Sequence, residues 1–424
     1  MDTGTVLFLA LGILLIVQVP VGIAIGLATF IAILHMGTLT LGFVSQALVT
    51  GLDSFPIMAI PLFIFAGDLM GAGGVSKRIL NVASIFFGGV TGGLAIVTVV
   101  VCMFFATVSG SGPATVAAVG SMVVPTMLEK GYSKSFTLSL IATAGAIGVI
   151  IPPSIPMVIF GVTTGASITH MFMAGILPGI LIGLMLIVYC YFYGRKHGLK
   201  DRVEAFSAKR AGLAIWDAKW ALINPIIILG GIYGGFFTPT EAAAVAAVYA
   251  FVCGTFIYRE LKLGNLLATM RNSCSTIGTV LVILGSATAF TRLLTLEQIP
   301  AQISYFLTGV TTNAIIMILL INIFLLIVGM FMDTTPAIMV LAPMLLPVAI
   351  SIGMHPVHFG IMMIVNKAVG FLTPPLGINL FVATRVGNTS LETVLKGIAP
   401  FIAIMVAALL IVSFWPALTL TLNP

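Results

Sequence analysis

Long stretches without a charged residue are the feature that most limits what this chain can fold into. No Asp, Glu, Lys or Arg occurs at positions 3–52, 79–128 or 135–194. A helix needs only about 20 apolar residues to cross a membrane. Charged residues make up 7% of the 424 residues, against about 25% in soluble domains. We therefore predict an all-α polytopic membrane protein.

The apolar runs predict ten spans, two re-entrant hairpins and four interfacial helices. Breaks at Pro, Gly or charge place the spans at about 4–18, 20–36, 56–71, 135–168, 172–194, 217–233, 238–258, 272–291, 356–387 and 394–421. Two further runs, 91–127 and 312–350, have polar, Gly-rich or Pro-rich points near their middles and are interpreted as re-entrant hairpins. Segments 38–51, 76–89, 261–271 and 295–310 are typical of helices that lie along the interface.

The basic residues orient this layout, because short loops rich in Lys and Arg stay in the cytoplasm. With the basic loop 195–219 inside, most other Lys and Arg residues also fall inside, while Arg292 lies outside and Lys367 lies within a span. Both termini then face outward, and the first apolar run is retained rather than cleaved as a signal peptide. The surplus of 18 Lys and Arg over 12 Asp and Glu reflects these loops, so we expect no nucleic-acid partner.

An internal repeat links the two halves of the chain. Adding 222 to the residue number takes Gly148 to Gly370 and Pro152 to Pro374, and a second proline follows in both copies. The two Pro-Pro spans are fourth and ninth in the predicted order, so an odd number of crossings inverts the second copy. Inverted repeats with interrupted helices build the central site of many secondary transporters.

Each copy offers a polar hairpin tip and a broken span. The tips read SGSGP at 109–113 and MDTTP at 332–336, and the breaks read GVIIPPS at 148–154 and GFLTPPLG at 370–377. Because proline lacks an amide hydrogen, a mid-span Pro-Pro frees backbone carbonyls that lipid cannot satisfy. Carbonyls and hydroxyls suit a hard cation such as Na+, while half-helix N-termini attract an anion. For a single Pro-Pro motif, the alternative to ion binding is that the prolines only kink the helix.

Ionisable residues near the second tip and break are candidates for function. An intramembrane carboxylate such as Asp333 indicates a functional site. It could balance Na+, take a proton or cap the following helix, while its counterpart in the repeat is Ser111. Lys367 could neutralise Asp333 or contact a substrate carboxylate. Arg292 and Arg385 lie near span ends, where each could either anchor the protein at the membrane interface or contact a substrate carboxylate.

Other motifs leave alternatives open. Glu241 follows Thr238 by three positions and is expected to begin a helix, with Thr as its cap. The stretch 109–112 also resembles the Gly-x-Ser-Gly sequence of intramembrane serine proteases, in which Ser109 or Ser111 would be the nucleophile. Such an enzyme needs a partner His and leaves the repeat unexplained. A stand-alone ion or dicarboxylate exchanger is a third hypothesis.

The stretches 109–113, 148–154, 370–377 and FTPTEAA at 237–243 resemble the large transmembrane subunit of TRAP transporters, the tripartite ATP-independent periplasmic systems. The resemblance extends over essentially the whole chain. It implies a bacterial inner-membrane, elevator-type, Na+-coupled importer rather than an enzyme. Its transport domain would consist of two hairpins and two broken helices carried on a scaffold.

The same resemblance implies partners and a substrate class. A small four-helix membrane subunit, here a separate chain, would complete the scaffold within the lipid bilayer. A periplasmic binding protein would deliver a carboxylate-bearing substrate. The usual substrates are C4-dicarboxylates, sialic acid and other organic acids, and general likeness favours sialic acid.

The resemblance further implies two Na+ sites. The first would use Ser109, Gly110 and Ser111 at the tip with Gly148, Ile151 and Ser154 at the break, and the second would use Asp333, Thr334 and Thr335 with Gly370 and Thr373. Leu376 takes the place of Ser154 in the second break, so a carbonyl would have to replace the hydroxyl there. The substrate would lie between the tips, with Lys367, Arg292, Pro152 and Pro374 as candidate contacts.

This organisation divides the chain into five segments. Residues 1–90 form an N-terminal scaffold, 91–170 the first half of the transport domain, 171–310 linking and scaffold helices, 311–390 the second half and 391–424 a C-terminal helix. Within each half, we expect the hairpin tip to approach the Pro-Pro break.

Overall fold

The computed structural model describes residues 2–40, 42–199, 207–311 and 313–422. Over these residues the chain forms helices and turns and no β-strand, which confirms the all-α fold class. The helices are α1 (Thr3–Ile16), α2 (Val21–Met36), α3 (Gly42–Leu52), α4 (Ala59–Ala72), α5 (Val75–Phe87), α6 (Gly93–Ser109), α7 (Gly112–Glu129), α8 (Lys134–Ala146), α9 (Ile155–Thr164), α10 (Ile168–Lys196), α11 (Ala208–Tyr233), α12 (Pro239–Val252), α13 (Leu263–Leu296), α14 (Ile299–Val310), α15 (Ala314–Phe331), α16 (Thr334–Ser351), α17 (Pro356–Gly370), α18 (Ile378–Val386), α19 (Leu391–Phe414) and α20 (Ala417–Leu420). Residues 200–206 of the predicted basic loop lie outside the described residues.

Within the described residues, eight helical segments are long and apolar enough to cross a membrane. They are Phe55–Ala72, Ile168–Lys196, Ala208–Tyr233, Pro239–Ile257, Leu263–Leu296, Ala314–Phe331, Thr334–Ser351 and Leu391–Phe414. The first two predicted spans form helices of 14 and 16 residues, α1 and α2. Both are shorter than the approximately 20 residues of a full crossing.

Three predicted boundaries are wrong. α11 begins at Ala208, within the predicted basic loop, whereas the sequence predicted a span from 217. α13 is a single helix of 34 residues, whereas the sequence predicted an interfacial helix at 261–271 followed by a separate span at 272–291. Arg271 lies on the exposed surface of α13, so its charge does not interrupt the helix. The C-terminal span, predicted at 394–421, ends at Phe414 because a proline follows two residues later.

The helix boundaries reproduce the offset of the sequence repeat. α7 and α16 are separated by 222 positions at both ends, and so are the first residues of α8 and α17. The hairpin α6–α7 is followed by the broken helix α8–α9, and the hairpin α15–α16 by the broken helix α17–α18. The chain therefore contains two copies of one hairpin and broken-helix unit.

Local caps shape both hairpin tips. Gly110 ends α6 with a φ of +60°, a left-handed conformation that favours glycine. Ser111 caps α7, and its Oγ accepts a hydrogen bond from the backbone N–H of Ala114 at 3.5 Å. Asp333 caps α16, and its carboxylate accepts from the N–H of Thr334 at 2.6 Å. The capping role considered for Asp333 is therefore present.

Each broken helix packs against the other copy. α9 contacts α16, whereas α18 contacts α7 and α8. Asn379, buried in α18, donates a hydrogen bond to the carbonyl oxygen of Ala142 in α8 at 2.9 Å. We call α6–α9 and α15–α18 the inner group. α10 and α19 pack on its surface, against α6 and α8 respectively.

The remaining contacts define an outer group, helices α2–α5 and α11–α13. α13 packs against α2, α3 and α4, while α12 packs against α4 and α11 against α5. Arg78 of α5 forms ion pairs with Glu260 at 2.6 Å and with Asp217 of α11 at 3.5 Å. At the start of α12, the N–H of Glu241 donates to Thr238 Oγ1 at 3.3 Å, while the N–H of Thr238 donates to the carboxylate of Glu241 at 2.8 Å. This capping box confirms the predicted helix start.

The inverted repeat predicts that equivalent helix ends lie on opposite sides of the membrane. Lys130 and Ile352 are 222 positions apart and cap the C-termini of α7 and α16. In a Cys274→Ser background, which removes the exposed native cysteine, we expect Lys130→Cys to react with an impermeant maleimide only from the cytoplasmic side. Ile352→Cys should react only from the outside. Labelling of both variants from one side would contradict the inverted arrangement.

Candidate functional site

The two hairpin tips line one cavity with a volume of about 370 Å³. Its walls come from α4, α13, both tips and both breaks: Ile64, Gly67, Asp68, Ser109, Gly110, Ser111, Pro113, Ala114, Val149, Ile155, Pro156, Thr276, Val280, Asp333, Thr334, Thr335 and Phe371. Ser111 and Asp333, which occupy equivalent positions of the repeat, thus face one common space. The fold brings together the two tips that the sequence singled out.

Oxygen atoms cluster at the first tip. The hydroxyls of Ser109 and Thr115, both buried, lie 2.8 Å apart, and Thr115 Oγ1 donates to the carbonyl oxygen of Ser111 at 2.8 Å. Gly148 of the first break lies against this cluster, because a Cβ added there would be 2.7 Å from the same carbonyl oxygen. Hydroxyl and carbonyl oxygens are the ligands that hard cations prefer. The chemistry of this cluster therefore fits a cation.

The first tip also contacts the first break directly. The backbone N–H of Ile155 donates to the carbonyl oxygen of Gly110 at 3.4 Å. A Cβ added to Gly110 would be 2.8 Å from the carbonyl oxygen of Pro153. Ser154 is fully buried, and its hydroxyl donates to the carbonyl oxygen of Val149 at 2.6 Å. The predicted approach of this tip to its break is confirmed.

The second hairpin meets its break through the end of α15, just before the tip. The N–H of Leu376 donates to the carbonyl oxygen of Met330 at 2.9 Å. A Cβ added to Gly370 would be 2.7 Å from the carbonyl oxygen of Gly329, so the two helices cross with their backbones in contact. At the tip itself, the buried hydroxyl of Thr334 has no hydrogen-bond partner among the described residues. An unpaired buried hydroxyl beside a carboxylate fits the ligand set of a cation.

The other residues predicted for the cation sites lie at the tips and breaks. Thr335 lines the cavity, Thr373 Oγ1 donates to the carbonyl oxygen of Gly370 at 3.2 Å, and Ile151 is buried within the first break.

The charged side chains that line the cavity are all acidic. Asp68 and Asp333 line it, and the described lining contains no Lys, Arg or His. The N-terminal ends of α7, α9 and α16 form part of the wall, and each contributes about half a positive unit charge. The cavity therefore combines two carboxylates with three helix N-termini.

The predicted substrate contacts do not line this cavity. Lys367 is 1% exposed, and its ammonium group donates to the carbonyl oxygen of Leu325 at 2.7 Å. The ion pairs formed within the described chain are those of Arg78, so none joins Lys367 to Asp333. Arg292 lies instead in a separate cavity of about 540 Å³ between α3, α9, α13 and α16. Pro152 and Pro374 are likewise absent from the described lining of the central cavity.

Sequence reasoning missed three polar residues of the site. Asp68 is the acid within the predicted span 56–71, so the argument that identified Asp333 could also have identified it. Thr115 lies one helical turn after Ser111, a spacing that places both on one face of α7. Thr276 gave no signal, because the position of α13 beside the tips depends on tertiary packing.

Similar proteins identify the family. The family described as "Tripartite ATP-independent periplasmic transporter, DctM component" matches residues 8–418. Over 98% of its length, the chain is 49% identical to the isethionate TRAP transporter permease protein DctMQ of Oleidesulfovibrio alaskensis, and it spans 66% of that protein. It is 39% identical to the C4-dicarboxylate TRAP transporter large permease protein DctM of Vibrio cholerae, covering 95% of this chain and 93% of the relative. It is 35% identical to the sialic acid TRAP transporter large permease protein SiaM of Vibrio cholerae, covering 96% of both.

Two solved transporter structures share the fold. The YdaH transporter of Alcanivorax borkumensis superimposes with a TM-score of 0.62 at 14% identity, covering 91% of this chain and 90% of that one. MtrF of Neisseria gonorrhoeae gives a TM-score of 0.58 at 14% identity, covering 88% and 83%. At this identity the likeness concerns the fold alone.

These relatives exclude the hydrolase hypothesis for Ser109 and Ser111, because they are named as transporter permeases rather than enzymes. Together with the apolar helices, they show a multi-pass inner-membrane protein. The chain belongs to the DctM family of tripartite ATP-independent periplasmic transporters, as a large permease component.

Proposed function

We propose that this chain carries a small organic anion across the inner membrane together with Na+. The observation that supports this most directly is the charge of the central cavity, which has two carboxylates and no basic side chain in its described lining. An organic anion that enters such a space is repelled unless cations enter with it. The electrostatics of the cavity therefore support coupling to a cation.

The helix N-termini attract an anion, but their partial charges are too small to make bound cations unnecessary. Three ends at about half a unit charge each do not offset two carboxylates, and a substrate adds further negative charge. With cations bound beside the tips, the same helix ends would face the substrate's carboxylate or sulfonate group. The hydroxyls of Ser111 and Thr335 offer further contacts in the cavity wall. These groups replace Lys367 and Arg292 as our proposed substrate contacts.

The oxygen groups at the tips favour Na+ as the cation. The first site would use the predicted residues at 109–111 and the first break, with Thr115 as an additional oxygen donor close to Ser109. The second would use Asp333 and Thr334, with Thr373 and the backbone of Gly370. Hydroxyl, carbonyl and carboxylate oxygens together are the donor set of a hard cation.

The packing supports movement of the inner group against the outer group, an elevator-type mechanism. The two halves of the inner group interlock through α9 and α18, so they would move as one body. The predicted segments 91–170 and 311–390 supply most of this unit, and α10 and α19 pack against it. Because the family is tripartite, we propose a small membrane subunit beside the outer group and a periplasmic binding protein as partners.

The names of the relatives narrow the substrate class. They include isethionate, C4-dicarboxylate, sialic acid and 2,3-diketo-L-gulonate transporters, all of which carry organic anions. Identity is 49% to the isethionate protein and 35% to the sialic acid protein, which favours a small organic anion over sialic acid. Isethionate and succinate are therefore the first acids to test.

Uptake into proteoliposomes tests the proposed function. We expect the chain, reconstituted with its small subunit and binding protein, to accumulate labelled isethionate or succinate when an inward Na+ gradient is imposed. A K+ gradient of equal size should give no accumulation, because the proposal assigns both cation sites to Na+. Uptake driven equally by a proton gradient without Na+ would contradict Na+ coupling, and uptake without the binding protein would favour a stand-alone exchanger.

Asp333 should set the Na+ dependence of this uptake. At an effective dielectric of about 20, a unit charge about 4 Å from a cation is worth about 4 kcal/mol. We therefore expect Asp333→Ala to raise the half-saturating Na+ concentration at least about tenfold. Asp333→Asn, which keeps an oxygen ligand, should show a smaller rise.

A matched acid provides the control for Asp333. Glu129 is exposed at the end of α7, and Glu129→Gln should leave the Na+ response unchanged. Thermal unfolding of each purified variant separates a change in the site from a loss of fold. An Asp333→Ala variant with wild-type Na+ dependence would show that the second site is misplaced.

A further inference from the structure

Asp68 belongs to the outer group but lies at the hairpin tips. It lines the central cavity from α4, together with its neighbour Gly67. A Cβ added to Gly67 would be 3.0 Å from Cα of Ser109 and 3.3 Å from the carbonyl oxygen of Val108, so α4 and the first tip are in backbone contact. The carboxylate of Asp68 is therefore placed beside the moving part of the proposed carrier.

A second outer helix holds this carboxylate. Ser273 of α13 is buried, and its hydroxyl donates to Asp68 Oδ2 at 2.6 Å. The ion pairs found in the described parts of the chain are those of Arg78, so Asp68 has no basic partner there. α4 and α13 pack against each other, which fixes both residues in one frame. Asp68 is thus a positioned negative charge that faces the cavity.

The effect of this charge depends on what the inner group carries. A carrier that holds cations without an organic anion is positive beside Asp68 and is attracted to it. When the inner group holds both the cations and the organic anion, the negative charge of the anion offsets the positive charge of the cations. When the inner group is empty, its carboxylate at Asp333 is repelled by Asp68. Only the cation-loaded, substrate-free carrier is therefore held in place.

We propose that Asp68 is a positioning residue that prevents movement of the Na+-loaded carrier until the organic anion has bound. This inference rests on the proposed Na+ coupling and assigns to the outer group a part in it. Coupled transport requires such a device, because a carrier that crosses with Na+ alone dissipates the gradient. From the wall of the central cavity, the fixed charge discriminates between the loading states by electrostatic attraction and repulsion.

The test is the flux of ²²Na+ into proteoliposomes that contain the chain and its small subunit, with no organic acid and no binding protein. We expect Asp68→Asn to raise this substrate-free flux about tenfold, since one attractive unit charge is removed from the held state. Na+-driven uptake of the organic acid should remain measurable in the same variant. Ser273→Ala, which leaves the carboxylate but frees its orientation, should raise the flux by a smaller factor.

Asp53→Asn is the matched control. Asp53 is an exposed acid that directly follows α3 of the outer group, and it is not part of the described lining of the central cavity. Its substrate-free flux should equal that of the wild type. Normal wild-type uptake together with an unchanged flux in Asp68→Asn would overturn this inference alone. Loss of uptake in Asp68→Asn without any rise in flux would also overturn it, because Asp68 would then bind Na+ or the organic anion directly. Absence of Na+-driven uptake in the wild type would instead reject the proposed function.

Discussion

A helix that breaks inside a membrane leaves backbone polar groups without hydrogen-bond partners, and the hydrocarbon cannot supply any. The architecture of this protein provides partners for such groups. At each Pro-Pro break a backbone N–H donates a hydrogen bond to a carbonyl oxygen of the hairpin of its own copy: Ile155 donates to Gly110 in the first, and Leu376 donates to Met330 in the second. The hairpins cannot be removed without exposing the breaks. Hairpin and break therefore form a single structural unit that is present twice.

The two units are similar in backbone but different in chemistry. The first tip offers hydroxyls that are hydrogen-bonded to one another, whereas the second offers a carboxylate at Asp333 and an unpaired hydroxyl at Thr334. The first break is entirely buried, while Pro375 of the second is exposed. Both tips nevertheless face one acid-lined cavity. Under the proposed function, this arrangement makes cation binding a condition for anion binding.

The repeat and its tips could be predicted from the sequence, because Pro-Pro, Gly and capping residues act locally and recur at one offset. The continuity of α13 could not, since Arg271 marks an interface in sequence yet simply lies on the exposed surface of the helix. Lys367 is buried within α17, and its hydrogen-bond acceptor is the backbone carbonyl of Leu325, which the residue types in the sequence do not identify. The position of Asp68 at the first tip depends on tertiary packing between groups distant in sequence.

The most direct test of the central claim is the equilibrium binding of the organic anion itself. Titration calorimetry on the purified chain with its small subunit would compare the affinity for the transported acid in NaCl and in KCl at equal ionic strength. If the acid-lined cavity needs Na+ to accept an anion, binding should be at least about tenfold tighter in NaCl, since one favourable charge interaction is gained. Equal affinity in the two salts would contradict the account.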